Sequence, residues 1–215
     1  MKVVEIFNSI EGEGKRVGKP CTFIRLFGCN LRCKYCDSLY AVESGSSYEE
    51  MSVEDILQKV QEYGCPSVTV TGGEPLIHKG INVLLSVLAT SGYEVNVETN
   101  GTVEPRYYLQ DRVFYTVDYK TDASGESSKM NPRAFRLQLG DVIKCVVGSE
   151  EDMKQSLAYL KLIGADKFPN IYLSPVFGMI EPVKLVEFVK ENKLWNWSVQ
   201  LQIHKVIWDP QKKGV

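Results

Sequence analysis

Three cysteines, Cys29, Cys33 and Cys36, stand close together in the run Gly28-Cys29-Asn30-Leu31-Arg32-Cys33-Lys34-Tyr35-Cys36. Thiolates are soft ligands that favour iron–sulfur clusters, zinc or copper(I). A four-iron cluster ordinarily takes four cysteines, and this run supplies three, which leaves one iron with a free position. An open position separates a reactive metal site from a structural one, because a small molecule can bind there and react. The competing reading is a zinc knuckle completed by Cys21, Cys65 or His78. A second run, Thr71-Gly72-Gly73-Glu74-Pro75, carries two adjacent glycines, which let a backbone approach a ligand closely. Gly-Gly and Pro also make plain turns.

What must position these runs is an alternation of apolar, β-rich stretches with helical patterns. Strand-like runs occur at residues 21–26, 67–71, 94–98, 114–118, 142–147 and 171–173, with a last short run at 199–203. Ser52 opens a helix in the manner of a capping box, with Ile56, Leu57 and Val60 on one face and Gly64 ending it. Residues 81–88 form a second helix. Ser149 begins a third, with Met153, Leu157, Leu160 and Ile163 at helical spacing. Residues 182–191 form a fourth, with Pro182 suited to the first turn. Strands alternating with helices predict parallel βαβ units, and about six strands suit a partial, open (β/α) barrel in one domain over residues 1–215. In such folds chemistry gathers at the carboxyl ends of the strands. The cysteine loop follows the first strong strand, residues 71–75 end the next, and Glu98-Thr99-Asn100-Gly101 ends the third. Asp118-Tyr119-Lys120 ends the fourth, and Ser174-Pro175-Val176-Phe177 the sixth.

Composition narrows the function classes. Hydrophobic residues make up 44% of the 215 and charged residues 24%, ordinary for a soluble globular chain. A net charge of −2 offers no basic field for nucleic acid. No apolar run is long enough to span a bilayer, and Met1-Lys2-Val3-Val4-Glu5 is unlike a signal peptide, so a cytoplasmic, reducing location is expected. There, cysteines bind metals or catalyse rather than pair. Cys21, Cys65 and Cys145, scattered among apolar residues, read as small core residues.

The cysteine run, with aromatic Tyr35 just before its third cysteine, resembles the cluster loop of radical S-adenosylmethionine (radical SAM) enzymes. The resemblance implies a [4Fe–4S] cluster whose fourth iron takes the amino and carboxylate groups of S-adenosylmethionine. It implies one-electron cleavage to a 5′-deoxyadenosyl radical, and an open (β/α)6-type α/β barrel with reduced helical content. Gly72-Gly73-Glu74-Pro75 is similar to the motif that binds the methionyl amino group in that superfamily. More narrowly, Phe7-Asn8-Ser9-Ile10-Glu11-Gly12-Glu13-Gly14, Phe23-Ile24-Arg25-Leu26-Phe27-Gly28, Asp37-Ser38 and Leu201-Gln202-Ile203-His204-Lys205 resemble 7-carboxy-7-deazaguanine synthases, nearly end to end. That family resemblance implies conversion of 6-carboxy-5,6,7,8-tetrahydropterin into 7-carboxy-7-deazaguanine, a ring contraction with loss of ammonia. It also implies Mg²⁺, a homodimer and a reducing partner such as a flavodoxin or ferredoxin.

Carried onto this chain, the resemblance gives Ile10, Glu11, Gly12, Arg25, Thr71 and Pro210 as substrate contacts. Arg25 is an expensive charge within an apolar strand, and its planar fork suits a carboxylate; pairing with Glu5 or Glu74 is the alternative. Glu11 suits the donor-rich pterin edge, unless it and Glu13 are solvated loop charges. Ser38 stands where many members carry a Mg²⁺-ligating threonine, and keeps the hard oxygen. Gly73, Asp118, Tyr119, Lys120, Ser174, Pro175, Val176 and Phe177 are the expected S-adenosylmethionine contacts. Asp118-Tyr119-Lys120 departs from the Ser-Pro-Lys of many members, and Asp118 is read as a ribose ligand. His204 is by default a satisfied core residue, with packing against the substrate pocket as the family's alternative. Two other functions remain open from sequence: a glycyl-radical enzyme activase, which shares both motifs, and a zinc-binding interaction module.

Overall fold

The structure, a computed structural model, describes residues 1–43, 45–107 and 111–215. Nine strands are found among them: β1 Lys2–Ile10, β2 Pro20–Leu26, β3 Glu49–Glu50, β4 Ser67–Gly72, β5 Glu94–Thr99, β6 Val113–Lys120, β7 Val142–Val147, β8 Ile171–Pro175 and β9 Trp197–Val199. They form one sheet in the order β3-β1-β2-β4-β5-β6-β7-β8-β9. From β2 to β9 each neighbouring pair is parallel, while β1 runs antiparallel to β2 and β3 antiparallel to β1. The six expected parallel strands are all present. Three features differ from expectation, the first being the short, unanticipated strand β3 at Glu49–Glu50. The segment 2–10, read only for its motif, is a full strand. The last strand is Trp197–Val199, not 199–203. Past Val199 the chain is drawn off the sheet edge because Gln200 bonds both main-chain atoms of Gly14 and Ile203 N–H donates to Gly12 O.

Helices α1 Val53–Tyr63, α2 Ile81–Thr90, α3 Glu150–Leu162 and α4 Pro182–Glu191 fall where their patterns predict, and a short α5, His204–Ile207, follows β9. The capping box is complete: Asp55 N–H donates to Ser52 Oγ at 3.1 Å, and Ser52 N–H donates to Asp55 Oδ2 at 3.0 Å. Gly64 ends α1 at φ 65°, in the left-handed region. Between β6 and β7 the chain makes only 3-10 turns, at 122–124, 127–129 and 132–135. Helical content is therefore low, and the barrel is an open one. Among the described residues, no helix is long and apolar enough to cross a membrane.

The strands alternate in a way unusual for a parallel sheet, whose strands normally read as continuous apolar runs. Ile24 and Leu26, Val68 and Val70, Val95 and Val97, Val117, Ile143 and Cys145, and Leu173 are buried towards the helices. The opposite face carries Arg25, Thr69, Thr71, Asn96, Glu98, Thr116, Asp118, Lys120, Lys144 and Ser174. Each fully buried aliphatic side chain on the helix side contributes about 1.5–3 kcal/mol. Burial on the polar side is favourable only if every charge finds a partner.

The β1–β2 connection, residues 11–19, meets that condition. Glu11 reaches Thr69 on β4, and Arg16 pairs with Glu94 on β5 at 3.1 Å. Glu13 pairs with Lys144 on β7 at 3.1 Å and accepts from Ser174 on β8 at 2.8 Å. One loop touching β4 through β8 requires the sheet to curl around it. The loop is the floor of the barrel, and it aims two carboxylates inward.

Candidate active site

Above that floor, at the carboxyl ends of the strands, lies a cavity of about 740 Å³. Cys29, Cys33 and Cys36 line it, all three free and half-buried. Their loop is anchored on several sides. Glu74 N–H donates to Gly28 O at 2.9 Å and Gly28 N–H to Ala41 O at 2.8 Å. Asn100 Nδ2 donates to Asn30 Oδ1 at 2.9 Å, Lys34 N–H to Ser124 O at 3.0 Å, and Arg32 N–H to Glu126 Oε1 at 2.6 Å. Leu31 N–H at 3.4 Å and Asn100 Nδ2 at 3.5 Å both donate to Cys29 Sγ. Burial pushes the Cys33 and Cys36 thiols up, opposed at Cys33 by the Lys120 ammonium and at Cys36 first by the Ser38 backbone N–H. Three thiols on one cavity wall, with N–H donors on one sulfur and a cation nearby, are a donor set that fits a cluster with three protein ligands. Cys21, Cys65 and Cys145 are buried. Cys21 bonds Thr69 and Cys65 bonds Pro20 O, at the start of β2, whereas the cluster loop follows its end. Neither can complete a zinc site with the loop.

The glycine pair owes its identity to the fold itself. A Cβ on Gly72 would stand 2.1 Å from Leu26 O, and one on Gly73 would stand 2.0 Å from Gly28 O. The closest approach at these glycines is therefore between the end of β4 and the entrance to the cluster loop. Glu74 is fully buried and accepts from Thr99 Oγ1 at 2.7 Å, Asn100 N–H at 2.6 Å and Leu76 N–H at 2.9 Å. It ties the end of β4 to the end of β5, and it is not a partner of Arg25.

On the substrate side, Ile10, Glu11, Gly12, Arg25, Thr71 and Pro210 all line the cavity. Glu11 is buried, and the partly buried Glu13 keeps a side chain only 9% exposed and paired with Lys144, so the solvated-loop reading is wrong for both. Arg25 Nε donates to Glu5 Oε1 at 2.7 Å, and the Tyr40 hydroxyl donates to the same oxygen at 2.7 Å. Of the Arg25 guanidinium, Glu5 takes only Nε among the described residues. Thr71 Oγ1 donates to Glu98 Oε2 at 2.7 Å, not to its own backbone. Glu98 also lines the cavity and was missed from sequence.

Burial, with the Glu98 charge second, pushes the Glu11 carboxyl up to about 7, against the pull of Thr69 and Arg16. Such a group keeps its proton in the folded chain while the unfolded chain loses it. Stability from Glu11 is therefore full below the unfolded carboxylate range and falls as pH rises towards 7, by roughly 3 kcal/mol at most. Urea unfolding at pH 5 and pH 8 checks this. Glu11→Gln is expected to gain stability over the wild type on going to pH 8, and an unchanged difference would refute it.

Several expected contacts need correction. Tyr119 is buried on the helix side of β6, stacked on Tyr159 at 4.4 Å between ring centroids, because strand alternation turns it away from its neighbours. Asp118 and Lys120 do line the cavity, but both Asp118 oxygens are held by lysines: Lys120 at 2.7 Å and Lys144 at 3.1 Å. Ser174 is buried and donates to Glu13, Pro175 is buried as well, and of that segment Val176 and Phe177 line the cavity. His204 is not a core residue. It lines the cavity, and its Nδ1 fills the space of a Gly12 Cβ, at 2.0 Å. Ser38 does not cap the turn it precedes; its hydroxyl donates to Asp37 Oδ1 at 3.1 Å, and Asp37 pairs with Lys205 at 2.9 Å. Residues 211–215 follow Pro210 along the cavity wall, and Lys213 Nζ lies 4.2 Å from the centre of the Tyr40 ring.

Comparison with known proteins accords with this geometry. The Radical SAM superfamily model matches residues 23–112. The chain is 44% identical to the 7-carboxy-7-deazaguanine synthase of Clostridium acetobutylicum, over 100% of this chain and 99% of that protein. This chain belongs to the 7-carboxy-7-deazaguanine synthase family. A synthase of the same name from Chlorobaculum tepidum is 37% identical over 100% of this chain and 97% of its own length. The crystal structure of QueE from Escherichia coli superposes with a TM-score of 0.73 at 27% identity, covering 93% of this chain and 92% of that one. Streptococcus suis SuiB, 15% identical with a TM-score of 0.56 over 83% of this chain and 48% of its own, shares the fold alone. As a synthase-family member the chain is a radical SAM enzyme, with a [4Fe–4S] cluster and S-adenosylmethionine as its cofactors. The activase and zinc-module readings are set aside.

Proposed function

We propose that this enzyme converts 6-carboxy-5,6,7,8-tetrahydropterin into 7-carboxy-7-deazaguanine with release of ammonia, in the cytoplasm, as a homodimer using Mg²⁺. The observation that carries the reading is the pairing of opposite chemistries in one cavity. Arg25 offers a guanidinium held through Nε, suited to a carboxylate, while Glu11 and Glu98 offer acceptors to a ring edge rich in N–H groups. The cysteine loop shares that cavity. When bound, the cluster and S-adenosylmethionine supply the radical chemistry. Cys29, Cys33 and Cys36 would hold the cluster, Lys120, Val176 and Phe177 the nucleoside side, and Ser38 a Mg²⁺ ion. His204 packs on Gly12 and shapes the floor beneath the substrate. The exposed Arg32 and Lys34 of the cluster loop are the natural landing point for an acidic flavodoxin or ferredoxin.

The experiment is an anaerobic incubation of the reconstituted enzyme with S-adenosylmethionine, Mg²⁺, a reductant and the carboxytetrahydropterin. Equal amounts of deazaguanine product and ammonia are expected. Formation of 5′-deoxyadenosine without any deazaguanine would overturn the substrate assignment and leave the radical chemistry standing.

A further inference from the structure

A line of four charges, Lys144 buried and Glu13, Asp118 and Lys120 partly buried, crosses one wall of the cavity, and Asp118 is its hub. Lys144 Nζ lies 3.1 Å from Glu13 Oε2 and 3.1 Å from Asp118 Oδ1. Lys120 Nζ lies 2.7 Å from Asp118 Oδ2. Asp118 and Lys144 face each other in the β6–β7 register, so backbone pairing sets that contact. Glu13 is held by Ser174 Oγ at 2.8 Å and Gln202 Nε2 at 3.2 Å. Lys144 is thus pinned from both sides. Lys120, the last residue of β6, has one anionic partner among the described residues.

Both Asp118 oxygens are committed to ammonium groups, and a ribose hydroxyl would have to compete with them. Without the Asp118 charge, Lys144 would keep Glu13, whereas Lys120 would lose its one anionic partner among the described residues and with it the contact that fixes its ammonium beside the cluster loop. We infer that Asp118 is a positioning residue: it aims Lys120 at the bound S-adenosylmethionine and does not touch that cofactor itself. The inference rests on the proposed role of Lys120 as a cofactor contact, and its test separates the two.

The test is a double-mutant cycle on the anaerobically reconstituted holoenzyme, with S-adenosylmethionine affinity read by equilibrium dialysis and melting temperature alongside. Asp118→Asn is isosteric and removes the charge. It is expected to weaken binding about tenfold, the worth of one charge-assisted hydrogen bond. Lys120→Met should weaken binding at least as much, and the double variant should bind no worse than Lys120→Met alone. Additive losses would mean that Asp118 contacts the cofactor directly and would overturn the inference. A Lys120→Met effect with none from Asp118→Asn would overturn it too, with the Lys120 reading intact. No effect from Lys120→Met would remove the reading beneath it. If Asp118→Asn fails to reconstitute, the 2′-deoxyribose analogue of the cofactor decides, on the unmodified enzyme and on Lys120→Met. Binding as tight as the natural cofactor supports positioning, and a tenfold loss that persists in Lys120→Met means a direct Asp118–ribose contact and overturns the inference.

Discussion

Gly73→Ala is expected to lower the rate of product formation by about a hundredfold or more while the chain still folds, since a shift near 1 Å at a reacting site can cost that much. The new Cβ would stand 2.0 Å from Gly28 O, 2.4 Å from Gly28 C and 2.9 Å from Cys29 N. All three are backbone atoms, so no side chain can swing aside. Relief has to come from moving the entrance of the cluster loop away from β4. That movement breaks the Glu74 N–H bond to Gly28 O and carries Cys29 with it. A control separates this from the general strain of placing alanine at a glycine. Gly80, at φ 89°, has nothing within 4 Å of an added Cβ. Gly80→Ala should lose about 1–2 kcal/mol of stability and keep the activity. Iron content and turnover of the two variants, measured side by side, check the claim. Equal activity in both would show that the loop tolerates the displacement.

Glu74→Ala is expected to give the larger loss of stability. The substitution leaves Leu76 N–H and Asn100 N–H facing a buried space with no acceptor, and frees the Thr99 hydroxyl. At about 1–3 kcal/mol for each stranded donor, the loss is roughly 3–5 kcal/mol. For a chain of this size that corresponds to about 10 °C in melting temperature. Activity should fall as well, because Asn100 also holds Asn30 and reaches Cys29 Sγ. A calorimetric melt within about 2 °C of the wild type would contradict the anchoring role, given the usual slope of 2–4 °C per kcal/mol.

What could be read in the sequence was what is encoded locally. The cysteine spacing, the capping box from Ser52 to Asp55 and the four main helices need only neighbours along the chain, and all stand where the pattern put them. The floor of the barrel needs partners far apart. Glu13 and Lys144 are 131 residues from each other, and no local pattern announces their contact. Lys144 interrupts the apolar strand Val142–Val147 much as Arg25 interrupts its own, and the argument about an unpaired charge, applied only to Arg25, holds for both. Tyr119 was grouped with Asp118 and Lys120 because they are adjacent, although the period of two in a strand separates them. Glu98 was quoted only as a strand end. The alternation of polar residues along β4, β5 and β6 was the signal that one face of this parallel sheet looks into a site.

If Cys29, Cys33 and Cys36 alone hold the four-iron cluster, one iron is left for S-adenosylmethionine. The most direct measurement is electron paramagnetic resonance of the anaerobically reconstituted, reduced protein before and after the cofactor is added. A [4Fe–4S]⁺ signal is expected that changes on addition and disappears in a Cys33→Ala chain. No cluster signal, or a cluster whose spectrum is indifferent to S-adenosylmethionine, would contradict it.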